Sequence, residues 1–310
     1  MQPAVAIILI NWNSLEVTSD CIVSLKGIQY ANYSIVVVDN CSADGSGKAL
    51  KQLHPEIILI ESATNLGFAG GNNLGFHYVL AQDFDYTIML NNDTYVEPDF
   101  LGQLVQYMEE HPEVGAIQPR IHFHHNRALL WNGGSYYAKW WGYFYTKGEN
   151  KLPAPKHLII KEVDWITGCA FFIKTSTLKK TGLLAEKLFM YSEDVDLSFR
   201  IKALGLSLVY HGDSVIYHIA GQSNKSKTKG KEGFVNPNVH YMNQRNRIWV
   251  LKKYTPWYCI PTVLAFNTVY LLSVLGYFAM RRRFSKFTIV LQAIKDGLLG
   301  KLDHKKLSSQ

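Results

Sequence analysis

Two clusters of acids and amides carry the clearest chemical signal in this chain: Asn91-Asn92-Asp93 and, further along, Glu193-Asp194-Val195-Asp196. An ionised carboxylate accepts hydrogen bonds, takes a proton from a reacting hydroxyl, or holds a hard cation through oxygen. Each cluster also has a structural explanation. Asn and Asp before Thr94 suit an Asx turn or a cap. Ser192 is placed to cap a helix whose first turn carries three acids, where negative charge complements the helix dipole.

The surrounding pattern positions these residues. Four short apolar runs, Val5 to Ile10, Ile35 to Val38, Ile57 to Ile60 and Tyr86 to Leu90, alternate with helical spacing in Val17 to Leu25 and Gly47 to Leu53. Such alternation predicts an α/β chain with a parallel sheet and crossover helices. The runs end in Asn11, Asp39-Asn40, Glu61 and Asn91-Asn92-Asp93, and the carboxyl ends of such strands line the ligand crevice. Asp39 taken alone reads as an exposed strand-end carboxylate capping the next helix, and only its convergence with the other strand ends turns the reading to a site.

After the third run, Asn65 to Gly75 reads as a glycine-rich turn entering a helix, with free N–H groups for an anion or nucleotide. It matches neither Gly-x-Gly-x-x-Gly nor a phosphate loop ending in Gly-Lys-Ser/Thr, and a tight structural turn explains it as well. Asp164 to Ile173 reads as strand, turn, strand, with Gly168 and Cys169 small enough to leave room for a substrate. Ser207 to Tyr210 and Ser214 to Tyr217 read as two strands, the second running into His218. Arg245-Asn246-Arg247 is compatible with a solvated helix face.

At 310 residues and 47% hydrophobic, the chain is long enough for one large core or two small ones. Cys21, Cys41, Cys169 and Cys259 show no metal-ligand spacing and make a thin disulfide framework, so a reducing compartment is expected. Ala4 to Ile10 has no basic flank or cleavage site and does not read as a signal peptide. The net charge of +7 concentrates late, in Lys225, Lys227, Lys229, Lys231, Lys252-Lys253, Arg281 to Arg283 and Lys305-Lys306. This points to a membrane surface and not to nucleic acid.

Between Lys253 and Arg281 no residue is charged, and Ile260 to Met280 is long enough to cross a bilayer. A single crossing with the N-terminal part cytoplasmic would put Arg281 to Arg283 and Lys286 outside, against the positive-inside tendency. Pro256 and Pro261 also interrupt its start. A peripheral or re-entrant segment through residues 257–299 is therefore expected, with an amphipathic helix from Phe287 to Leu299 presenting Ile289, Ile294, Leu298 and Leu299 on one face.

The order of motifs carries a resemblance: Asn11-Trp12-Asn13; Val36 to Asn40 with Ser42, Asp44 and Gly45; Asn65 to Asn73; Leu90 to Thr94; Glu193 to Asp196 with Arg200; His218; and Arg245 to Arg247. The chain resembles family 2 glycosyltransferases of the inverting GT-A type, in particular the bacterial rhamnosyltransferase-like group, from residue 4 to about 250.

The resemblance implies a GT-A catalytic domain over 1–250, with a nucleotide-sugar half to about 120 and an acceptor half from about 121. A membrane-associated helical segment, 251–310, follows. Ile10, Asn11, Trp12, Asp39, Gly71, Asn72, Asn92 and Asp93 would bind the nucleotide-sugar. Asp93, with His218 as second candidate, would hold Mg²⁺ or Mn²⁺. Asp194 would be the catalytic base, with Gly168, Glu193, Asp196, Arg200 and Arg247 in supporting or acceptor-side roles. Many relatives carry two aspartates around the turn where this chain has Asn91-Asn92-Asp93, which leaves its metal site with less charge.

Implied partners are a nucleotide-diphosphate sugar, first dTDP-rhamnose, then UDP-hexoses or a galactofuranose donor, and a lipid-linked glycan acceptor at the cytoplasmic face of the membrane. A processive synthase would carry Gln-x-x-Arg-Trp and several membrane helices, whereas Gln244 to Trp249 is one residue out of pattern. A polyprenyl-phosphate sugar synthase stays open. A nucleotidylyltransferase would need a basic glycine-rich loop after the first strand, which Asn11 to Glu16 lacks; intact Asp93, Asp194 and His218 speak against a non-catalytic carbohydrate-binding protein. The aromatic stretch Trp131 to Tyr145 suits sugar stacking, a lipid-linked acceptor or core packing. Lys225 to Lys231 reads as a mobile basic loop.

Overall fold

A computed structural model describes residues 2–221, 225–230 and 232–302, in two compact units. The first comprises Met1–Tyr136, Thr146–Glu186 and Glu193–Ala220. Its strands are β1 (Val5–Asn11), β2 (Tyr33–Asp39), β3 (Ile58–Glu61), β4 (Tyr86–Leu90), β5 (Thr94–Val96), β6 (Val114–Phe123) and β7 (Leu130–Asn132). A ribbon of β8 (Ser135–Ala138) and β9 (Tyr143–Thr146) follows, then β10 (Lys161–Glu162), β11 (Ala170–Lys174) and β12 (Ser207–His218). The ribbon apart, these strands form one mixed sheet in the order β10-β12-β6-β11-β4-β1-β2-β3, with β5 on β12 and β7 on β6.

The expected parallel half is present: β4, β1, β2 and β3 run parallel, joined by α1 (Leu15–Lys26), α2 (Ser46–Leu53) and α3 (Gly67–Leu80). Val5 to Leu9 are all fully buried, because helices cover both faces of a parallel sheet, and this explains a continuous apolar run without alternation. Ile7, Leu9, Ile22 and Leu25 pack on one face with Phe100 and Leu104 of α4 (Phe100–Glu110); Ile8, Val36 and Val38 pack on the other with Phe76 of α3. Against β4, β11 runs antiparallel and carries the sheet into its second half, where α5 (Thr175–Thr181) and α6 (Glu193–Ala203) contribute Leu178 and Leu197 to the second core.

Three local readings are corrected. Most of the glycine-rich run is helix interior, not a turn: α3 begins at Gly67, and a Cβ on Gly75 would lie 2.7 Å from Ile8 Cγ2. Those glycines let the helix approach the sheet. Of the expected 164–173 hairpin only residues 170–173, in β11, are regular strand; Trp165 makes a single bridge to Ser135. The two strands before His218 are one strand, β12, with an irregularity between His211 and Val215.

The second unit comprises Tyr137–Tyr145, Lys187–Ser192 and Gly221–Gln310. It contains β13 (Lys225–Gly230) paired with β14 (Gly233–Val235), then α7 (Pro237–Tyr254), α8 (Ile260–Met280) and α9 (Phe284–Leu299). The stretch expected as a basic loop is thus strand over 225–230, and Lys231, Lys305 and Lys306 lie outside the described residues. The expected domain boundary at residue 250 falls inside α7. Pro261 stands in the first turn of α8, where its missing N–H costs nothing, so it starts that helix and does not interrupt it. Trp257–Met280 is long and apolar enough to cross a membrane, by length and composition only.

Two further corrections fall in this unit. The buried face of α9 is Lys286, Val290, Ala293 and Gly297, and Leu298 and Leu299 are exposed. A Cβ on Gly297 would lie 3.0 Å from the Arg245 carbonyl oxygen, so the two helices meet through small residues. Arg245 and Asn246 are fully buried and not a solvated face; the Asn246 amide donates to the carbonyls of Leu188, Met190 and Tyr191.

Gly75→Ala tests the helix–sheet approach. Alanine favours a helix interior by about 1 kcal/mol, but the added methyl overpacks against Ile8, which costs about 1–3 kcal/mol. We expect a lower urea midpoint at unchanged slope; a midpoint equal to or above that of the wild type contradicts this packing.

Candidate active site

At the carboxyl ends of the parallel strands the polar side chains bond to one another. Asn11 and Asp39 are register partners on β1 and β2. Asn11 Nδ2 donates to Asp39 Oδ1 at 2.8 Å and to Ser46 Oγ at 2.7 Å, while Asn11 Oδ1 accepts from the Thr18 hydroxyl at 2.9 Å. Thr18 Oγ1 in turn accepts from Asn92 Nδ2 at 2.7 Å. A single chain of hydrogen bonds therefore links the ends of β2 and β1 to the turn after β4. Asp39 Oδ2 accepts the Ser42 N–H at 3.2 Å. Asn40 bonds Asn65 and the backbone of Leu66 and Gly67, tying β2 to the start of α3.

Asp93 and His218 meet at the neighbouring strand end. Their Oδ1 and Nε2 lie 3.0 Å apart, both side chains are buried, and Asn91 Nδ2 is 3.2 Å from the same nitrogen. The indole of Trp131 stands edge-on to His218, with ring centroids 4.6 Å apart. Burial pushes the His218 pKa down, but Cys169 and Asp93 push it up, and the net shift is upward, to about 10. Burial also raises the Cys169 thiol.

A carboxylate oxygen and an imidazole nitrogen on converging buried side chains are donors that a divalent cation accepts in place of the imidazolium proton. Among the described residues no cluster of three or more His, Cys, Asp and Glu is present. The pair would supply one oxygen and one nitrogen donor to such a cation.

Asp194 lies in the first turn of α6, where Oδ2 accepts the Gly168 N–H at 2.8 Å and Oδ1 the Val195 N–H at 2.8 Å. Burial raises its pKa, and these backbone bonds partly offset the rise. The turn it grips is held residue by residue: Ile166 N–H donates to Ser198 Oγ, Thr167 N–H to Gln118 Oε1 and Cys169 N–H to Thr167 Oγ1. From the same turn, the Cys169 carbonyl accepts the Asn91 N–H at 2.9 Å. Residues 168 and 169 thus join the Asp194 carboxylate to the Asn91-Asn92-Asp93 turn. Gly168 does not leave room for a substrate, as its size suggests; a Cβ there would lie 3.1 Å from the Phe68 ring and 3.6 Å from Asp194 Cβ.

Glu193 is buried, with Oε2 unpartnered, and burial followed by repulsion from Asp194 raises its pKa well above the ordinary value. Asp196 pairs with Arg200 at 2.9 Å. Arg200 also donates to the carbonyls of Thr181, Gly182 and Leu183, so the pair fixes α6 against the turn after α5. Ser192 sits at φ 71°, in the left-handed region and not the extended one of an N-cap.

Of the remaining expected residues, Gly71 packs on Ile10, where a Cβ would lie 3.3 Å from Ile10 Cγ2, and Trp12 is exposed. Asn72 is buried, and its amide donates to the Phe68 carbonyl within α3. Arg247 is in the second unit, where its guanidinium bonds Asn267 Oδ1 and the Gly142 carbonyl. Thr18, Gln118 and Ser198 escaped the sequence reading. No local pattern distinguishes them from ordinary polar residues of a helix or strand.

Residues 6–166 match the family model described as Glycosyl transferase family 2. The chain is 24% identical over 251 residues to the N-acetylglucosaminyl-diphospho-decaprenol L-rhamnosyltransferase of Mycobacterium tuberculosis, covering 74% of this chain and 78% of that one. It is 27% identical over 206 residues to rhamnosyltransferase WbbL of Escherichia coli K12, covering 63% and 76%. Among solved structures, GalNAc-T7 with UDP, GalNAc and Mn²⁺ superposes with a TM-score of 0.61 at 15% identity, covering 81% of this chain and only 48% of that one. The mannosyltransferase PcManGT of Pyrobaculum calidifontis, with GDP-Man and Mn²⁺, superposes with a TM-score of 0.57 at 15% identity, covering 97% and 88%. The fold is the mixed α/β GT-A type.

The raised Glu193 pKa has a thermodynamic consequence. A carboxyl whose folded pKa exceeds its unfolded one stabilises the fold fully below the unfolded pKa, and that contribution is lost as pH rises through the folded value. Glu193→Gln should therefore weaken the decline of melting temperature from about pH 5 upward. Parallel melting-temperature curves for variant and wild type would show that Glu193 is not the group responsible.

Proposed function

The chain belongs to glycosyltransferase family 2, and from that premise we propose that it transfers one sugar from a nucleotide-diphosphate donor to a hydroxyl of a lipid-linked glycan, with inversion at the anomeric carbon. One observation carries this reading: Gly168 gives its N–H to Asp194 and Cys169 gives its carbonyl to Asn91, so one pinned turn joins the Asp194 carboxylate to the Asn91-Asn92-Asp93 turn, which supports reading the first as proton acceptor and the second as the diphosphate-binding turn. Asn11, Trp12, Asp39, Asn92 and the surfaces of Ile10 and Gly71 would hold the nucleotide.

Asp93, with His218 as second ligand, would hold Mg²⁺ or Mn²⁺, whose charge neutralises the diphosphate as it leaves. Asp194 takes the proton from the acceptor hydroxyl as its oxygen bonds to the anomeric carbon and the bond to the diphosphate breaks. A raised pKa brings this base nearer the operating pH, where general-base efficiency is greatest. Glu193, buried beside it, has its pKa raised further by repulsion from Asp194, whose own carboxylate is held by two backbone N–H groups.

Two relatives named rhamnosyltransferases support a dTDP-rhamnose donor, and the decaprenol-linked acceptor in one of those names supports a polyprenyl-diphosphate glycan used in surface polysaccharide assembly. A hexosyl donor is the second reading, favoured by 27% identity over 211 residues to the hexosyltransferase Agl10 of Haloferax volcanii. The apolar Trp257–Met280 segment and its basic flanks suit work at the cytoplasmic membrane face.

The division of roles is tested by two substitutions assayed for transfer and by calorimetry with nucleotide. Asp194→Asn should lower kcat by about 10²–10⁴-fold, the span of general-base catalysis, with nucleotide affinity unchanged. Asp93→Ala should weaken nucleotide binding in Mg²⁺ or Mn²⁺ and leave metal-free binding as it was. Equal loss of binding in both variants contradicts the assignment. In the wild type kcat should fall with acid along a limb whose pKa lies above the ordinary aspartate value; a limb at or below that value would remove Asp194 as the base.

A further inference from the structure

Within the second unit, side chains of α7 and α8 meet in antiparallel order at four levels. Leu251 packs with Val263, Arg247 bonds Asn267, Gln244 Nε2 donates to Tyr270 Oη at 3.3 Å, and His240 meets Phe278 ring to ring at 5.0 Å. The buried residues of α8 are Val263, Asn267 and Phe278. Leu264, Val269 and Leu272 on its other side are each more than 60% exposed. At 1.5 Å per residue α8 is about 30 Å long, so this apolar face extends as far as a bilayer core is thick.

The contacts of α7 decide how that face meets lipid. If α8 crossed a bilayer, Arg247, Gln244 and His240 would be carried to hydrocarbon depth beside it, where charged side chains are costly. Cations also stand at both ends of the apolar face: Lys252 and Lys253 close α7 next to the start of α8, and Arg281 and Arg282 follow its end. A crossing would divide these clusters between opposite sides of the membrane. A helix lying flat puts both at one layer of lipid headgroups.

Aromatic rings flank the first half of α8. Trp140, Trp141, Tyr143, Trp257 and Tyr258 are all more than 40% exposed, and Trp141 and Tyr143 lie 5.9 and 6.0 Å from Phe266. Rings with an apolar body and a polar edge settle at the membrane–water boundary. The segment bearing them is fixed to α8, because the Trp140 carbonyl accepts from the Thr262 hydroxyl and the Trp141 carbonyl from Asn267 Nδ2 at 3.0 Å.

We propose that the second unit is a monotopic membrane dock in which α8 lies in the plane of an anionic bilayer, with Leu264, Val269 and Leu272 buried among the acyl chains. Trp140, Trp141 and Trp257 sit at the headgroup boundary, and Lys252, Lys253, Arg281 and Arg282 meet lipid phosphates from one side. This deepens the membrane-face reading above and excludes both a transmembrane and a re-entrant course for α8.

The test uses the full chain and sealed phosphatidylcholine vesicles with and without phosphatidylglycerol. Wild type should sediment with the anionic vesicles and lose binding as salt rises. The triple variant Leu264→Glu/Val269→Glu/Leu272→Glu alters only exposed positions, so its melting temperature should hold while vesicle binding falls at least about tenfold. In a Cys41→Ser background, Lys252→Cys and Arg281→Cys should both react with a membrane-impermeant maleimide added outside.

Protection of one of the two cysteines, unchanged binding of the triple variant, or a solution dimer that the triple variant abolishes while neither protein binds vesicles would each overturn the proposal. Nucleotide binding is read separately on the same preparations. Its loss with vesicle binding retained would sink the transferase reading and leave the dock standing.

Discussion

The proposed chemistry depends on one short turn, residues 166–169, whose four consecutive N–H groups are each claimed by a side chain: Ser198, Gln118, Asp194 and Thr167. A turn between sheet and helix would ordinarily leave such donors to water, and unpaired in a buried place each would cost about 1–3 kcal/mol. Here they serve as anchors. The Gly168 N–H fixes the Asp194 carboxylate, and the Cys169 carbonyl fixes the backbone of the Asn91-Asn92-Asp93 turn. Because a Cβ on Gly168 would lie 3.1 Å from the Phe68 ring, a larger residue there must push that ring aside.

The same logic organises the strand ends proposed to hold the nucleotide. Asp39, Asn11, Thr18 and Asn92 form a relay in which nearly every donor meets an acceptor, so the strand ends hold their geometry before any ligand arrives. Such preorganisation lowers what binding must spend on ordering. Asp93 and His218 complete the row as a facing pair of donor atoms. Burial also raises the pKa of Asp194, on α6.

Much of the first half was legible in the sequence, since parallel strands buried on both faces must be continuous apolar runs, and their polar ends must gather at one edge. The glycines of α3 were misread because glycine serves two purposes, left-handed turns and close packing, and only the neighbour Ile8 distinguishes them. The buried face of α9 was misread for a related reason: small residues, Ala293 and Gly297, meet α7, while Leu298 and Leu299 stay outside. Thr18, Gln118 and Ser198 were invisible because their partners lie on other elements, and a lone hydroxyl or amide announces no partner in a sequence. Arg245 and Asn246 looked like a solvated face for the same reason, until the carbonyls of Leu188, Met190 and Tyr191 appeared as acceptors for Asn246.

The central claim is that Asp194 deprotonates an acceptor that attacks from the face opposite the diphosphate. The most direct test is the anomeric configuration of the newly formed product, read by proton NMR during turnover of dTDP-rhamnose with a polyprenyl-diphosphate glycan acceptor. A single displacement assisted by one base gives a product of inverted configuration, as this account predicts. A product of retained configuration would require a second nucleophile or a different reaction course, and would contradict it.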